Sequence, residues 1–224
     1  MRLLAQRHGA AAAFARAPKF ARRTPWREAR WCAFDLELTG LNPSRDVIIA
    51  VGAVPIDEGR LLLGQSMYTL VRTSKRSEHD AVLMHKLRVA DLADAPSLDD
   101  AIDLILESLS GRVPVFHTAA VERGFLGPRF AERGVRLPAA ADTEILGRLL
   151  LRERDSVAIS RLPLGKLASM LSLPTGPAHH ALGDALTTGA AFIALAANLD
   201  AAQPQTVGSL IHAEERLRGA RRLG

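Results

Sequence analysis

Asp35 and Glu37 stand one residue apart in an otherwise apolar run, Trp31-Cys32-Ala33-Phe34-Asp35-Leu36-Glu37-Leu38, which Thr39-Gly40 ends at once. A short run of this composition reads as a buried strand. Side chains alternate across a strand, so the two carboxylates share one face. Like charges side by side on a mostly buried face raise each other's energy unless something positive lies between them. The fold must therefore open this end of the strand onto a cleft, and a divalent metal ion is the simplest partner for the pair.

Spacing alone does not single the pair out, because the chain has 24 acidic residues and Glu153-Arg154-Asp155 repeats the pattern. That second pair reads as a solvated helix end or loop. The apolar setting of Asp35 and Glu37, and two partner motifs downstream, separate them from it.

The chain has 224 residues, enough for one domain with a sizeable core. Hydrophobic residues make up 48% and charged residues 24%, as in an ordinary globular protein. No apolar run approaches the length of a membrane span. The net charge is +5, but its distribution is uneven. Residues 1–27 hold seven Lys or Arg and no acid, while the remainder carries 22 basic against 24 acidic residues. Arg216, Arg218, Arg221 and Arg222 form a second basic group. Such arms suit phosphate backbones or simply water. The Ala- and Arg-rich start has the composition of a transit peptide. Arg outnumbers Lys 25 to 4 throughout, however, so the bias is general and resembles that of GC-rich bacterial coding. The single Cys32 excludes an internal disulfide and a multi-cysteine zinc site, and reads as a small core residue. A bacterial cytoplasmic location is expected.

Residues 1–30 read as a basic arm, helical in part, that ends in the turn at Thr24-Pro25. Strands are expected at 31–37, 47–54 and 61–71, joined by the loop 42–46 and a hairpin at Asp57-Glu58-Gly59, which makes an antiparallel meander. The period then changes. Leu98, Ile102, Ile105, Leu106 and Leu109 share one helical face. A buried strand follows at 112–117. A helix at 119–133 should be interrupted or bent at Gly127-Pro128. Helices are predicted at 142–152, 164–171, 182–197 and 203–218, with a loop at 174–177. A meander followed by alternating strands and helices implies an α/β fold with a mixed sheet flanked by helices, its first strand central.

The second motif runs from His117 to Leu126 and places Glu122 at the start of a helix, where the helix dipole also favours an acid. The third is His179-His180-Ala181-Leu182-Gly183-Asp184. Asp184 opens a markedly apolar helix, and a carboxylate near its buried side needs a partner. Gly183 and Gly189 allow another element to come close. These oxygen donors suit Mg²⁺ or Mn²⁺ rather than zinc. Two such ions can activate a water and stabilise the leaving oxygen of a phosphodiester, with a histidine as general base. A phosphate loop, a dinucleotide fingerprint and a serine elbow are all absent from the sequence.

Phe34-Asp35-Leu36-Glu37-Leu38-Thr39-Gly40, the stretch from His117 to Leu126, and the His179 to Asp184 segment together resemble the three motifs of the DEDDh 3′–5′ exonucleases. That family belongs to the ribonuclease H-like superfamily and includes the epsilon subunit of bacterial DNA polymerase III. The resemblance covers residues 30–198. It implies a mixed five-stranded sheet, three strands as an antiparallel meander plus parallel strands, and an exonuclease domain at 31–200. Residues 1–30 would be an arm, and 201–224 a basic helix or tail. Asp35, Glu37 and Asp184 resemble the metal ligands, with Glu122 in the fourth acidic position. His179 resembles the general base, although spacing alone leaves His180 open. The backbone around Leu38, Thr39 and Gly40 and the side chain of Leu41 resemble the pocket for the 3′-terminal nucleotide. His85 resembles part of a His-Gly stretch near the substrate, with Lys86 in place of the glycine.

The implied activity is hydrolysis at single-stranded 3′ ends to nucleoside 5′-monophosphates, with two Mg²⁺ or Mn²⁺ ions. DNA is favoured over RNA. Aromatic residues are only 4% of the chain, so extensive base stacking is not expected. The segment from Ala201 shows no polymerase-docking element, which favours a stand-alone nuclease. Glu122 departs from the family's usual Asp, adding a methylene at a site where small displacements matter. A weakened nuclease serving as a binding or assembly module is the alternative.

Overall fold

β1 (Trp31–Leu38) feeds two different cores through simple alternation. Cys32, Phe34, Leu36 and Leu38 join one apolar layer with Ile102, Ile105 and Phe130. Trp31 and Ala33 join the other with Phe192 and Leu195. Asp35 and Glu37 continue the second alternation, so they fall on the Trp31 side of the sheet. The computed structural model describes residues 2–155, 157–174 and 179–219.

β2 (Ile48–Asp57) pairs antiparallel with β1, placing Gly52 opposite Asp35 and Ala50 opposite Glu37. Glu58 and Gly59 turn the hairpin with positive φ. The expected third strand at 61–71 is two strands. β3 (Arg60–Leu61) and β4 (Met67–Leu70) both pair with β2, and a 3₁₀ turn at Leu63–Gln65 divides them. Ile56 faces Leu61 but Ala53 faces Met67, so the chain carries three residues more than the register can pair. They loop out with Leu63 exposed. β5 (Val113–Phe116) runs parallel to β1, and the two-residue β6 (Ala141–Asp142) runs parallel to β5. The order is β3-β2-β1-β5-β6, with β4 also on β2. The sheet is thus mixed, with β1 inside it. It has six strands because the third is split.

α1 (Arg2–Arg16) packs against α3 (Leu98–Leu109), which Ser97 caps through the amide of Asp100. α2 (His79–His85) was not legible in the sequence, because Leu83 and Met84 point to solvent and break any apolar stripe. α4 (Ala120–Glu132) runs through Pro128 without interruption. The proline is exposed and Gly124, whose carbonyl loses its partner, is half-exposed. Water can reach that carbonyl, which removes much of the usual cost.

α5 (Thr143–Asp155), α6 (Leu164–Met170) and α7 (Ala181–Ala202) follow. The expected helix 203–218 divides at His212 into α8 (Val207–Ile211) and α9 (Ala213–Gly219). The predicted loop at 174–177 lies outside the described residues beyond Pro174, as do Arg221 and Arg222.

α7 is long and apolar enough to cross a membrane by length and composition. Here half of that stretch is buried inside the fold, where it packs on β1, β2 and α5. The segment before β1 is tied to the segment after α7. Trp26 donates its amide to Gln205, Val207 to Thr24 and Gly208 to Arg22. The Trp26 ring is buried edge-on to Phe192.

Candidate active site

α7 crosses the Trp31 side of β1 in the opposite direction. Gly189 sits over Ala33, with room for no side chain between them and Leu61. Five residues of helix back from Gly189 is Asp184, a rise of about 7.5 Å. Two residues of strand onward from Ala33 is Asp35, about 6.7 Å. The matched spacings bring Asp184 over the acidic end of β1. Carboxylate oxygens of Asp35, Glu37 and Asp184 all lie within 4.8 Å of one another.

None of the three forms an ion pair among the described residues. Glu37 Oε1 is buried without a hydrogen-bond partner. Burial, then the charges of Asp184, Glu122 and Glu37, push the Asp35 carboxyl well above the usual range. Burial and Asp184 push Glu37 up to about 7. Burial also raises Asp184, against the lowering effect of the His179 amide and the two histidines. Three crowded carboxylates with an orphaned oxygen fit a hard divalent cation.

α7 begins at His180, whose Nδ1 accepts the amide of Gly183 at 3.4 Å. The His179 amide donates to Asp184 Oδ2 at 2.9 Å. His179 adopts φ of 58°, the left-handed region. A residue with a side chain loses roughly 1–2 kcal/mol there, and such strain gathers at functional sites. The geometry thus brings Asp35, Glu37 and Asp184 to one place and ties the backbone of His179 to Asp184, while the His179 imidazole, like Glu122, stands outside the three-carboxylate group. The Nδ1 of His180 is engaged at the start of α7.

Glu122 lies on the first turn of α4 and is buried, with Oε2 unpartnered. Burial raises its carboxyl to about 8, opposed by its own backbone amide and reinforced by Asp142. Its charge is felt at Asp35, yet it stands outside the three-carboxylate group. Asp142 holds the turn that positions it. Asp142 accepts the amides of Thr118, Ala119 and Glu144, at 3.2, 2.8 and 2.9 Å. It thereby ties the start of α4 to the start of α5. Thr118 takes a left-handed φ of 65° in this turn.

The family model described as Exonuclease, of the RNase T type, matches residues 32–192, a span that holds all these acids and both histidines. This chain belongs to the exonuclease family. It is 28% identical over 191 residues to a DNA polymerase III subunit epsilon-like protein of Rhodobacter capsulatus, covering 84% of this chain and 27% of that protein. It is 25% identical over 159 residues to a PolC-type DNA polymerase III of Clostridium perfringens, covering 70% of this chain and 10% of that one. The chain therefore spans about a quarter or less of these relatives.

Among solved structures, exonuclease X in complex with 5′ overhanging duplex DNA superposes with a TM-score of 0.63 at 22% identity, covering 82% of this chain and 98% of that one. Exonuclease I superposes with a TM-score of 0.65 at 15% identity, covering 82% and 42%. The mixed sheet and its flanking helices are the ribonuclease H-like fold of these nucleases.

In this member of the family the turn after β1 is held by side chains that follow it in sequence. Asp46, buried, accepts from the hydroxyl of Thr39 at 3.3 Å and pairs with Lys75 at 3.1 Å. The Thr39 amide donates to Val47, and its carbonyl accepts from Glu78. Thr39 is fully buried and spent on structure, and Leu38 and Gly40 are buried too. Leu41, 75% exposed, is the side chain of this stretch that a ligand can reach.

The Glu78 contact docks α2 beside the turn, and α2 ends at His85. The Nδ1 of His85 accepts the amide of Leu87, which leaves the proton on Nε2, buried and unpartnered. Burial and the neighbouring His179 lower its pKa. Lys86 caps α2 with φ of 60°, which explains why a glycine suits the position. A Lys86→Gly variant is expected to gain about 0.5–1 kcal/mol, the relieved strain less the added freedom of the unfolded chain. Urea denaturation checks this, and a loss of stability would show that the cap is not strained.

Two residues of the site were not singled out from the sequence. Gly52 faces Asp35, and a Cβ there would overlap the Ala181 carbonyl and lie 2.5 Å from the Leu182 nitrogen. The start of α7 is seated directly on the backbone of β2. A glycine inside a strand is the available signal of such an approach. Tyr68 faces Gly52 from β4 and stacks on His180, ring centroids 4.7 Å apart. Burial and the charge of Glu37 raise its phenol pKa.

Proposed function

We propose that this exonuclease removes nucleotides from single-stranded DNA 3′ ends and releases nucleoside 5′-monophosphates, with two divalent ions, Mg²⁺ or Mn²⁺. The observation that carries the reading is the group Asp35, Glu37 and Asp184, three crowded carboxylates without a cation of their own. When bound, the ions would supply the positive charge that a phosphodiester needs as charge builds on its oxygens. Asp35, Glu37 and Asp184 hold them, and Glu122 adds its charge from the side of α4.

The His179 imidazole accepts a proton from the attacking water, held close by its amide bond to Asp184. The exposed Leu41 side chain would form the wall against which the terminal nucleotide rests, with His85 at the end of α2 belonging to the same pocket. DNA is favoured because the solved relatives were captured with DNA: exonuclease X with an overhanging duplex and exonuclease I with oligonucleotides.

Incubation with single-stranded oligonucleotides labelled at either end tests this. Labelled mononucleotide should appear first from the 3′ label, a ladder from the 5′ label, and nothing in excess chelator. Early mononucleotide from the 5′ label, or cleavage that survives the chelator, sinks the reading. A parallel RNA series decides the substrate.

The position of Glu122 outside the carboxylate group favours a second reading, a weakened nuclease kept for binding. Under it, Glu122→Asp raises the single-turnover rate about tenfold or more, since small displacements at such sites cost up to about a hundredfold. An unchanged or lower rate removes this reading.

A further inference from the structure

We propose that Tyr68 is a positioning residue whose ring holds His180 and thereby keeps His179 and Asp184 locked together at the start of α7. The inference rests on the reading of His179 as the base. Three observations carry it. Asp35, Gly52 and Tyr68 lie in one row across the sheet, each directly opposite the next. The missing side chain at Gly52 lets the α7 start descend between Asp35 and Tyr68. In that position the Tyr68 ring lies 4.7 Å from the His180 ring, tilted by only 19°.

His180 needs such a contact. It is exposed, and its cap to Gly183 is long at 3.4 Å. The residue before it is held in a left-handed backbone conformation by one amide bond to Asp184. That conformation competes with relaxed alternatives, in which the His179 amide leaves Asp184. A stacked pair favours the ordered form by roughly two- to tenfold, enough to decide how much of the protein is competent. The role assigned to Tyr68 acts through the His180 ring.

The test compares the wild type with Tyr68→Phe and Tyr68→Ala. The first readout needs no activity. Amide hydrogen exchange at His179 should accelerate about two- to tenfold in Tyr68→Ala and stay at the wild-type rate in Tyr68→Phe. The His180 ring protons should lose their upfield ring-current shift only in Tyr68→Ala. The second readout is cleavage of a labelled single-stranded oligonucleotide. In Tyr68→Ala, kcat should fall about two- to tenfold while KM stays within twofold, and Tyr68→Phe should restore kcat.

Unchanged exchange and ring shifts in Tyr68→Ala overturn the inference. So does a Phe variant as impaired as the Ala variant, which would assign the effect to the hydroxyl. A wild type that cleaves nothing, with the exchange pattern as expected, faults the functional reading and leaves the stack in place.

Discussion

An Asp35→Asn variant should melt higher than the wild type in chelator at neutral pH, and should lose about a thousandfold or more in cleavage. The two effects have one origin. Asp35 is held at elevated energy by burial and by the charges of Asp184, Glu122 and Glu37. The amide keeps the shape and removes one of the crowded charges. A carboxyl that folding forces to stay protonated, or charged and unpaired, costs on the order of a few kcal/mol that the unfolded chain is spared. For a chain of this size 1 kcal/mol moves the melting temperature by about 2–4 °C, so a rise of roughly 5–10 °C is expected. The same substitution removes a charged ligand from the cation site, and a loss of about 4 kcal/mol of transition-state stabilisation is about a thousandfold in rate.

The pH dependence follows with a definite sign. Glu37 is raised to about 7 and Glu122 to about 8, both from 4.5. The folded form therefore holds protons that the unfolded chain has released. The contribution of these two groups to the stability of the metal-free protein is fully present below about pH 4.5 and is lost as pH rises through 7 and then 8. Added Mg²⁺ or Mn²⁺ should restore it, and by more at pH 8 than at pH 6. Calorimetry across that range decides the matter. A wild type whose melting temperature rises with pH in chelator, or an Asn variant that melts lower, would show that these carboxylates are not crowded.

Much of this site was legible because each acid sits where local chemistry already marks it. Asp35 and Glu37 interrupt an apolar alternation, and Asp184 interrupts an apolar helix. Those anomalies survive in one dimension, and so does the meander, whose turns carry their own residues at Asp57-Glu58-Gly59. What stayed hidden depends on counts that only pairing reveals. The third strand breaks because three residues exceed the register with β2, and an apolar Leu63 gives no warning of that. β6 is two residues long, too short for any periodicity, yet its Asp142 fixes the turn that carries Glu122. α2 leaves Leu83 and Met84 in solvent, so no pattern announces it. The Thr39 hydroxyl is bound by Asp46, seven residues on, a pairing that no local pattern announces. Gly52 was in plain view as a glycine inside a strand. Its meaning depends on α7, more than a hundred residues later.

Gly52→Ala should reduce cleavage about a hundredfold or more and destabilise the fold by about 1–3 kcal/mol. The added methyl would overlap the Ala181 carbonyl and meet the Leu182 nitrogen at 2.5 Å. Both are backbone atoms in the first turn of a 22-residue helix, so no side chain can swing away. The helix start must lift, on the order of 1 Å, and it carries Asp184, His180 and the His179 amide with it. A displacement of that size at a reacting centre costs about a hundredfold, although every acid and histidine remains. Gly64→Ala is the matched control. Nothing lies within 4 Å of a Cβ there, so stability should stay within about 0.5 kcal/mol and cleavage should be unchanged. The seat is confined to one position, because Ala50, two residues back on the same face and opposite Glu37, already carries a methyl. Cleavage by Gly52→Ala within threefold of wild type would mean that α7 does not need this seat to place Asp184. The close approach would then be a packing detail with no part in assembling the site.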